Sequence, residues 1–578
     1  MKIVESFYVI EGKKFQYPQK VRLVDVYNIN FISLSLKEIE CLVIENDVCR
    51  IDYAPLKVLI RGDWLECNIN EESIVNVIGE IRGGQLVIDD EKNYLVIEPD
   101  ILINTTGIAD SFTCMRRAVL SFRNQTSVED NKPSASLTIG SIVHELVGEA
   151  FSTGSFREIH SNDPKLNFLI STKIEEIFAS EKDEEFIKEK VVETMKNFPK
   201  WCQLYIRKYP AIHAYVQEQT KTGGGPSTVC ISKILDLEEN IWSAMFGLKG
   251  KIDSTILMKF KSTLNDDDKY STVLCPFELK TGQSTTSLNH RAQTMLYTLM
   301  LNDRYCRPID YGLLFYISTG DLIRISAYRR DIQSILIKRN IFAQHLKRDM
   351  SNGTNLESDI CAPSVSSNKL PPQILNEHLC KRCFQIDTCI MYHKLIEGGT
   401  EQTSSVPQLF EQKTSHLKGA EHGEFFEKWE KLITLEEIES TNSRSELWRF
   451  TSEKRSKRGK CLTGMKLISC EKIPEALGMN QFNCKFELET TSEVSVSLLN
   501  SYINEGDPIV ISLENGNIAQ YALASGIVTA LTVDSISVRT DREVKYILDP
   551  LTSLESIESI EAGRLVGNDG KDSNSTQK

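Results

Sequence analysis

Three residues stand in positions from which they could act on one reaction centre. In the run FGLKGKIDSTI, Phe246, Leu248, Gly250, Ile252 and Ser254 alternate with Lys249, Lys251, Asp253 and Thr255. A strand with that alternation places Asp253 on its more polar face. In LCPFELKTG, Glu278 and Lys280 are two residues apart and share a face. If the two strands pair, two carboxylates and an ammonium converge. Paired acidic oxygens suit magnesium, or manganese, because these hard ions keep several waters and bridge to phosphate. Such an ion polarises a phosphodiester and activates water, while the lysine holds the attacking water or stabilises charge on the phosphate. The spacing alone arises often by chance. The plain alternative is a solvated strand face carrying an ordinary ion pair.

Other residues could complete this centre. In TIGSIVHELVGEAF the apolar residues Ile139, Ile142, Val143, Leu146, Val147, Ala150 and Phe151 form one helical stripe, with His144 at its edge and Glu145 pointing away. His144 is therefore either a satisfied core histidine or a metal ligand. Gln293 and Tyr297, at i and i+4 in HRAQTMLYT, share one helical face. From there they could hydrogen-bond DNA or position the lysine, or simply form a polar helix stripe.

A second constellation is made of thiols. Cys380, Cys383 and Cys389 in LCKRCFQIDTCIMYH are close enough in sequence to put three thiolates around one centre. Cys114 in FTCMRRAVL opens a helical region and is the fourth ligand we expect, closing the domain like a clasp. Thiolate sets hold zinc or an iron-sulfur cluster, and spacing does not separate the two. Arg116 and Arg117, beside Cys114, either grip phosphate or cap a solvated helix face.

The elements that must position these groups follow from the pattern. Residues 1 to about 105 carry short alternating β-branched runs such as VRLVDVYNINFISLSL and NYLVIEPDILI, which predict a small antiparallel β-barrel. Helical periodicity runs from Phe112 to about Ala211, and TKTGGGPST at 220–228 breaks it. The two strands bearing the acids, joined by NDDDKY, then a helix around LNHRAQTMLYTLML and a strand YGLLFYIST, predict a mixed α/β domain. Past a polar loop at 351–375 and a linker near 394–408 come a helical segment and strands such as DPIVISL and IVTALTV, which predict a second barrel. The run EKRSKRGK reads as a nuclear-import signal, a DNA contact or a solvated loop, and the tail as disordered.

Bulk properties narrow the classes. With 578 residues the chain needs roughly three to five domains. A formal charge of −13 disfavours indiscriminate binding of polyanions, so any nucleic-acid site must be a local basic channel. No export signal or continuous apolar span is evident, so neither secretion nor a membrane partner is expected. Fifteen cysteines in such a chain point to reduced or metal-bound thiols rather than disulfide staples.

Taken in order, DILINTTGIADSFTCMRRAVLS, IGSIVHELV, IWSAMFGLKGKIDSTI, PFELKTG, HRAQTMLYTL and CKRCFQIDTC resemble a RecB-type nuclease domain with an iron-sulfur staple, of the kind found in eukaryotic replication helicase/nucleases. The resemblance covers about residues 95 to 392. It implies a multidomain α/β chain: an OB-like β-barrel at 1–105, a restriction-endonuclease-like core at 106–393, a helical stalk at 394–460, a small β-barrel at 461–555 and a tail at 556–578. It implies His144, Asp253 and Glu278 as ligands of magnesium, Lys280 as the catalytic lysine, and Cys114, Cys380, Cys383 and Cys389 as ligands of a 4Fe-4S cluster. It further implies cleavage of single-stranded DNA, especially 5′ flaps coated by replication protein A in Okazaki-fragment maturation and end resection. A nuclear location, compatible with a mitochondrial pool, goes with this reading. One departure stands out: no G-x-x-x-x-G-K-[ST] loop is found, and GNDGKDS has the wrong spacing. The chain is expected to stop before a helicase motor.

Overall fold

The computed structural model describes residues 56–67, 69, 73–79, 85–124, 134–218, 227–262, 270–282, 287–347, 370–473, 482–489, 497–515 and 518–544, together with the backbone of strands between residues 7 and 49. Residues 82–84, most of TKTGGGPST, NDDDKY up to residue 269, most of 351–375 and the tail with GNDGKDS lie outside the described residues.

The architecture is mixed α/β and multidomain. Near the N-terminus a seven-stranded sheet is antiparallel except where Leu56–Ile60 runs parallel to Gln85–Ile88. A larger mixed sheet organises the rest. Its order runs Gln217–Glu218, Asp321–Ser326, Tyr311–Tyr316, Ser271–Lys280, Leu248–Ser262 and Ser227–Ser243, and then continues into the C-terminal strands, beginning with Ile518–Leu531. Tyr311–Tyr316 is parallel to Ser271–Lys280, and the helix Leu288–Tyr305 makes the crossover between them. That crossover lays the helix bearing Gln293 and Tyr297 against the strand bearing Glu278 and Lys280.

Two apolar clusters hold the layers together. One includes Leu257, Leu274, Met295, Leu296, Leu336 and Phe342. The other includes Ile142, Val143, Phe151, Trp201, Phe277 and Phe315, with Trp201 stacked on Phe315 at 4.0 Å between ring centroids. The stripe expected on TIGSIVHELVGEAF is the face of helix Ala135–Thr153 that enters this second cluster. Ser134 caps the helix by accepting from the Leu137 N–H, and Gly154 ends it at φ 68°.

The strand Ser227–Ser243 lies outside the set expected from the pattern. Its ladder to Leu248–Ser262 slips between Ile231 and Lys233 and again between Ile234 and Asp236. Each slip breaks the alternation by which a strand is recognised. The turn joining the two strands has Gly247 at φ 62°, where a Cβ would collide with the Arg339 guanidinium. Arg339 is fully buried and donates to the carbonyls of Gly247, Ile97, Glu98 and Ile101. This strut ties the hairpin, and hence its register, to the N-terminal sheet.

The helical stalk is present as Pro407–Thr414, the 31-residue helix Gly419–Arg449 and Ser452–Lys457. Within EKRSKRGK, Arg458 and Lys460 pair with Glu446, and Lys454 lies 3.8 Å from the Phe450 ring centroid, so the run folds back on the stalk. In the C-terminal sheet Cys470 and Cys484 face each other across paired strands. Register brings these two thiols side by side. No helix among the described residues is long and apolar enough to cross a membrane.

Candidate active site and cysteine centre

Strand register assembles the acid–lysine cluster. Leu248–Ser262 and Ser271–Lys280 are antiparallel, with Ser254 opposite Phe277 as the last registered pair, so Asp253 and Glu278 meet one step beyond it. There Asp253 Oδ2 accepts from the Leu279 N–H at 2.7 Å, taking over where the ladder stops. Its Oδ1 lies 3.3 Å from His144 Nδ1. Burial pulls the His144 pKa down, but the hydrogen bond and charge of Asp253, with Glu278 and Glu238 nearby, leave it raised overall. Glu145 points away and pairs with Lys173 at 3.4 Å.

Glu278 is 2% exposed. Burial, then the charge of Asp253, pushes its carboxyl well above the usual range, while Lys280 and His144 oppose that shift. Lys280 Nζ donates to Glu278 Oε1 at 2.6 Å and to Gln293 Oε1 at 3.0 Å. Gln293 Nε2 donates to Tyr297 Oη at 2.9 Å, and that hydroxyl donates to the Lys251 carbonyl at 2.8 Å. Gln293 and Tyr297 are both buried. Of the three roles expected for them, the geometry gives the one that orients the lysine. A direct DNA contact would need them at the surface.

The other oxygen of Glu278, Oε2, is buried and has no hydrogen-bond partner. An orphaned carboxylate oxygen of this kind is costly unless a cation or proton completes it. The donor set beside it, an imidazole and carboxylates, suits a hard divalent ion. Among the described residues, the ligand atoms that gather within 4.8 Å of one another belong to His144, Asp253 and Glu238. Glu278 stands beside that group, tied to Lys280.

Sequence reasoning missed two residues here. Glu238 sits on the twice-slipped strand, between Leu237, which pairs with Ser254, and Glu239, which pairs with Ile252, and so lies across from Asp253. The acidic LDLEEN run was the available signal. His290 Nδ1 is 2.9 Å from Tyr316 Oη, and burial and the Lys280 charge lower its pKa to about 4, so a neutral imidazole sits behind the lysine.

The four cysteines line one pocket together with Arg116, Arg117, Gln373 and Ile374. Cys114 is the N-cap of helix Met115–Arg123, and its Sγ accepts from the Arg117 N–H. It lines the same pocket as Cys380, Cys383 and Cys389, so residue 114 is brought beside the distant trio. Burial pushes the Cys389 thiol up to about 11, with the Arg116 guanidinium pulling the other way.

Arg116 corrects the expectation of a phosphate contact or a solvated cap. It is 1% exposed. Its guanidinium donates to Cys389 Sγ at 3.2 Å, to the Pro371 carbonyl at 3.0 Å and, bidentately, to Glu397 at 2.7 and 3.1 Å. An arginine so enclosed by acceptors has no donor face left for DNA. Arg117 is partly exposed, pairs with Asp110 at 3.1 Å and lies over the Phe384 ring.

Fold and site together describe a mixed α/β protein in which a histidine–carboxylate cluster that could hold a metal ion lies on the sheet beside an oriented lysine. The model of the family described as DNA replication factor Dna2 matches residues 52–258, a span that includes Cys114, His144, Glu238 and Asp253. Similar proteins include those named DNA replication ATP-dependent helicase/nuclease DNA2 from Bos taurus (29% identity, 86% of this chain and 45% of the relative), Gallus gallus (30%, 86% and 48%) and Saccharomyces cerevisiae (28%, 87% and 33%). Residues 52–258 thus match the Dna2 family model, and most of the chain is similar to these helicase/nucleases. It spans about a third to a half of the length of these relatives.

Proposed function

We propose that this chain is a metal-dependent nuclease that hydrolyses phosphodiesters of single-stranded DNA. Its natural substrates on this reading are 5′ flaps met in Okazaki-fragment maturation and DNA end resection in the nucleus, presented with replication protein A. The observation that carries the proposal is Lys280, fixed by Glu278 and Gln293 beside an orphaned carboxylate oxygen and the Asp253–His144 pair.

The chain's own residues have separable tasks. Two of the three Lys280 protons are committed to Glu278 and Gln293, which leaves the third for a substrate phosphate or the attacking water. Asp253 is held from two sides, by the Leu279 N–H and by His144, so its oxygens need little reorganisation on substrate arrival. His144, Asp253 and Glu278 would hold magnesium or manganese. A bound ion would supply Lewis-acid stabilisation of phosphate charge and acidify water.

At the cysteine centre we assign a 4Fe-4S cluster held by Cys114, Cys380, Cys383 and Cys389. The four cysteines lining one pocket and the Arg116 N–H donated to Cys389 Sγ support a shared thiolate centre there. Iron and labile sulfide in the purified chain, with brown colour, are expected; zinc in a colourless protein would overturn this assignment.

The nuclease reading is tested by incubating the purified chain with a 5′-tailed DNA and magnesium. Cleavage is expected, and Asp253→Ala should abolish it while DNA binding persists. Binding without cleavage by the unaltered chain would identify a non-catalytic DNA-binding part of a larger helicase/nuclease instead.

A further inference from the structure

Glu238 occupies a place in the fold that a strand residue does not take without cause. It has φ 53°, the left-handed region that non-glycine residues with a long side chain avoid. Its carboxylate gathers with His144 and Asp253. The peptide that carries it is gripped from outside the strand pair. Arg542, which follows the C-terminal strand Ser535–Thr540, donates Nη1 to the Glu238 carbonyl at 3.3 Å and pairs Nη2 with Asp236.

The grip is part of a larger seam. Trp242 pairs with Tyr521 across the junction of the two sheets. Arg304 donates to the Tyr521 carbonyl at 3.0 Å, and Gln520 donates to the Arg304 carbonyl at 2.7 Å. The C-terminal sheet is thus bonded to the stretch of strand, residues 236 to 242, that holds Glu238 in its unusual conformation. Among the described residues Lys251 pairs with Glu238 Oε2 at 2.7 Å, between two well-exposed side chains. A pair of that kind contributes little and yields readily to a divalent ion.

We propose that Glu238 is a ligand of the divalent ion at the acid–lysine cluster, and that Arg542 is the positioning residue that aims it, so that docking of the C-terminal sheet sets metal affinity. The orphaned Glu278 Oε2 points independently to a cation at this cluster. The inference rests on the metal-dependent reading above and adds to it a ligand and a means of control.

The test measures manganese binding to the full chain without DNA, by electron paramagnetic resonance of the free ion. The unaltered chain should bind, and Asp253→Asn should abolish binding. Failure of either result overturns the metal-dependent reading itself. Given both, Glu238→Gln should weaken affinity about 10- to 100-fold and Arg542→Ala about 10-fold, the range found when supporting residues of metal sites are removed. Unchanged affinity in Glu238→Gln overturns the present inference alone. The double variant separates positioning from general loosening: if Arg542 acts through Glu238, the pair binds no more weakly than Glu238→Gln by itself. Additive losses would overturn the positioning role, and a melting curve on each variant identifies any that has lost its fold.

Discussion

The acid–lysine cluster draws Glu238, Asp253 and Glu278 from three neighbouring strands, whereas the cysteine pocket draws one thiol from the first helical turns and three from a segment far along the chain. The two centres therefore hold their shapes differently. In the first, hydrogen bonds supplied by the protein already fix most groups: the Leu279 N–H on Asp253, and Glu278 and Gln293 on Lys280. In the second, Arg116 and Cys389 are 273 residues apart, and the gap at the pocket is spanned by that arginine, by Arg117 over the Phe384 ring, by the Asn124–Gln385 hydrogen bond and by the thiols. A site built by register should keep its shape without its metal. A site built by closing a long loop should depend on what is bound.

The sharpest way to break this contrast is to remove one group from each centre and compare activity with stability. Lys280→Ala should lower the cleavage rate by about 10³-fold or more, roughly 4 kcal/mol of transition-state stabilisation, with little change in unfolding temperature. Cys389→Ser should do the reverse in kind: lose iron, strand the Arg116 donor, and cost on the order of 4 kcal/mol in stability, as expected for releasing a loop of more than a hundred residues. Chelating magnesium should stop cleavage and leave the melting curve in place. If chelation melts the chain as far as the cysteine change does, the distinction between the two centres is lost.

The same contrast explains what could be read from the sequence. Asp253, Glu278 and Lys280 were legible because a period of two on short, well-patterned strands fixes which residues share a face. Glu238 was not, because two slips and a left-handed residue erase the alternation on Ser227–Ser243. Cysteine chemistry is distinctive enough that Cys114 could be joined to the trio without any knowledge of the path between them. Arg116 was misread because a charged residue is solvated by default, and only the fold brings Cys389, Pro371 and Glu397 around it. The seam made by Arg304 and Arg542 between the two sheets leaves no local trace at all, since its bonds run mostly to backbone carbonyls.

A milder perturbation asks whether the lysine's orientation, rather than its presence, matters. Gln293→Ala removes the acceptor from Lys280 and the donor to Tyr297 in one step. The expected result is a loss of about tenfold in kcat with KM for DNA unchanged, because Gln293 is buried and touches no substrate. Tyr297→Phe, one bond further from the lysine, should cost less. Loss expressed in KM would instead make this helix face a DNA contact and undo the separation drawn between support and substrate surface.

The smallest expected effect tests the support beneath the register-built site. Asp303 accepts from Ser243 Oγ at 2.6 Å, at the end of the strand that carries Glu238. Burial raises its pKa to about 6, with the Ser243 hydrogen bond and the Arg304 charge pulling the other way. Between its ordinary value, near 4, and about 6, the folded chain keeps a proton that the unfolded chain has released. Stability must therefore fall as pH rises through that window and stay lowered above it. Asp303→Asn retains an oxygen for Ser243 and removes the buried charge. Since part of Asp303 remains open to solvent, the gain should be about 1 kcal/mol at pH 8 and vanish below pH 4, as read from denaturant midpoints at the two pH values. A variant that loses stability at pH 8 would mean that the Asp303–Arg304 attraction outweighs desolvation, and that the strand under Glu238 is held by charge as well as by register.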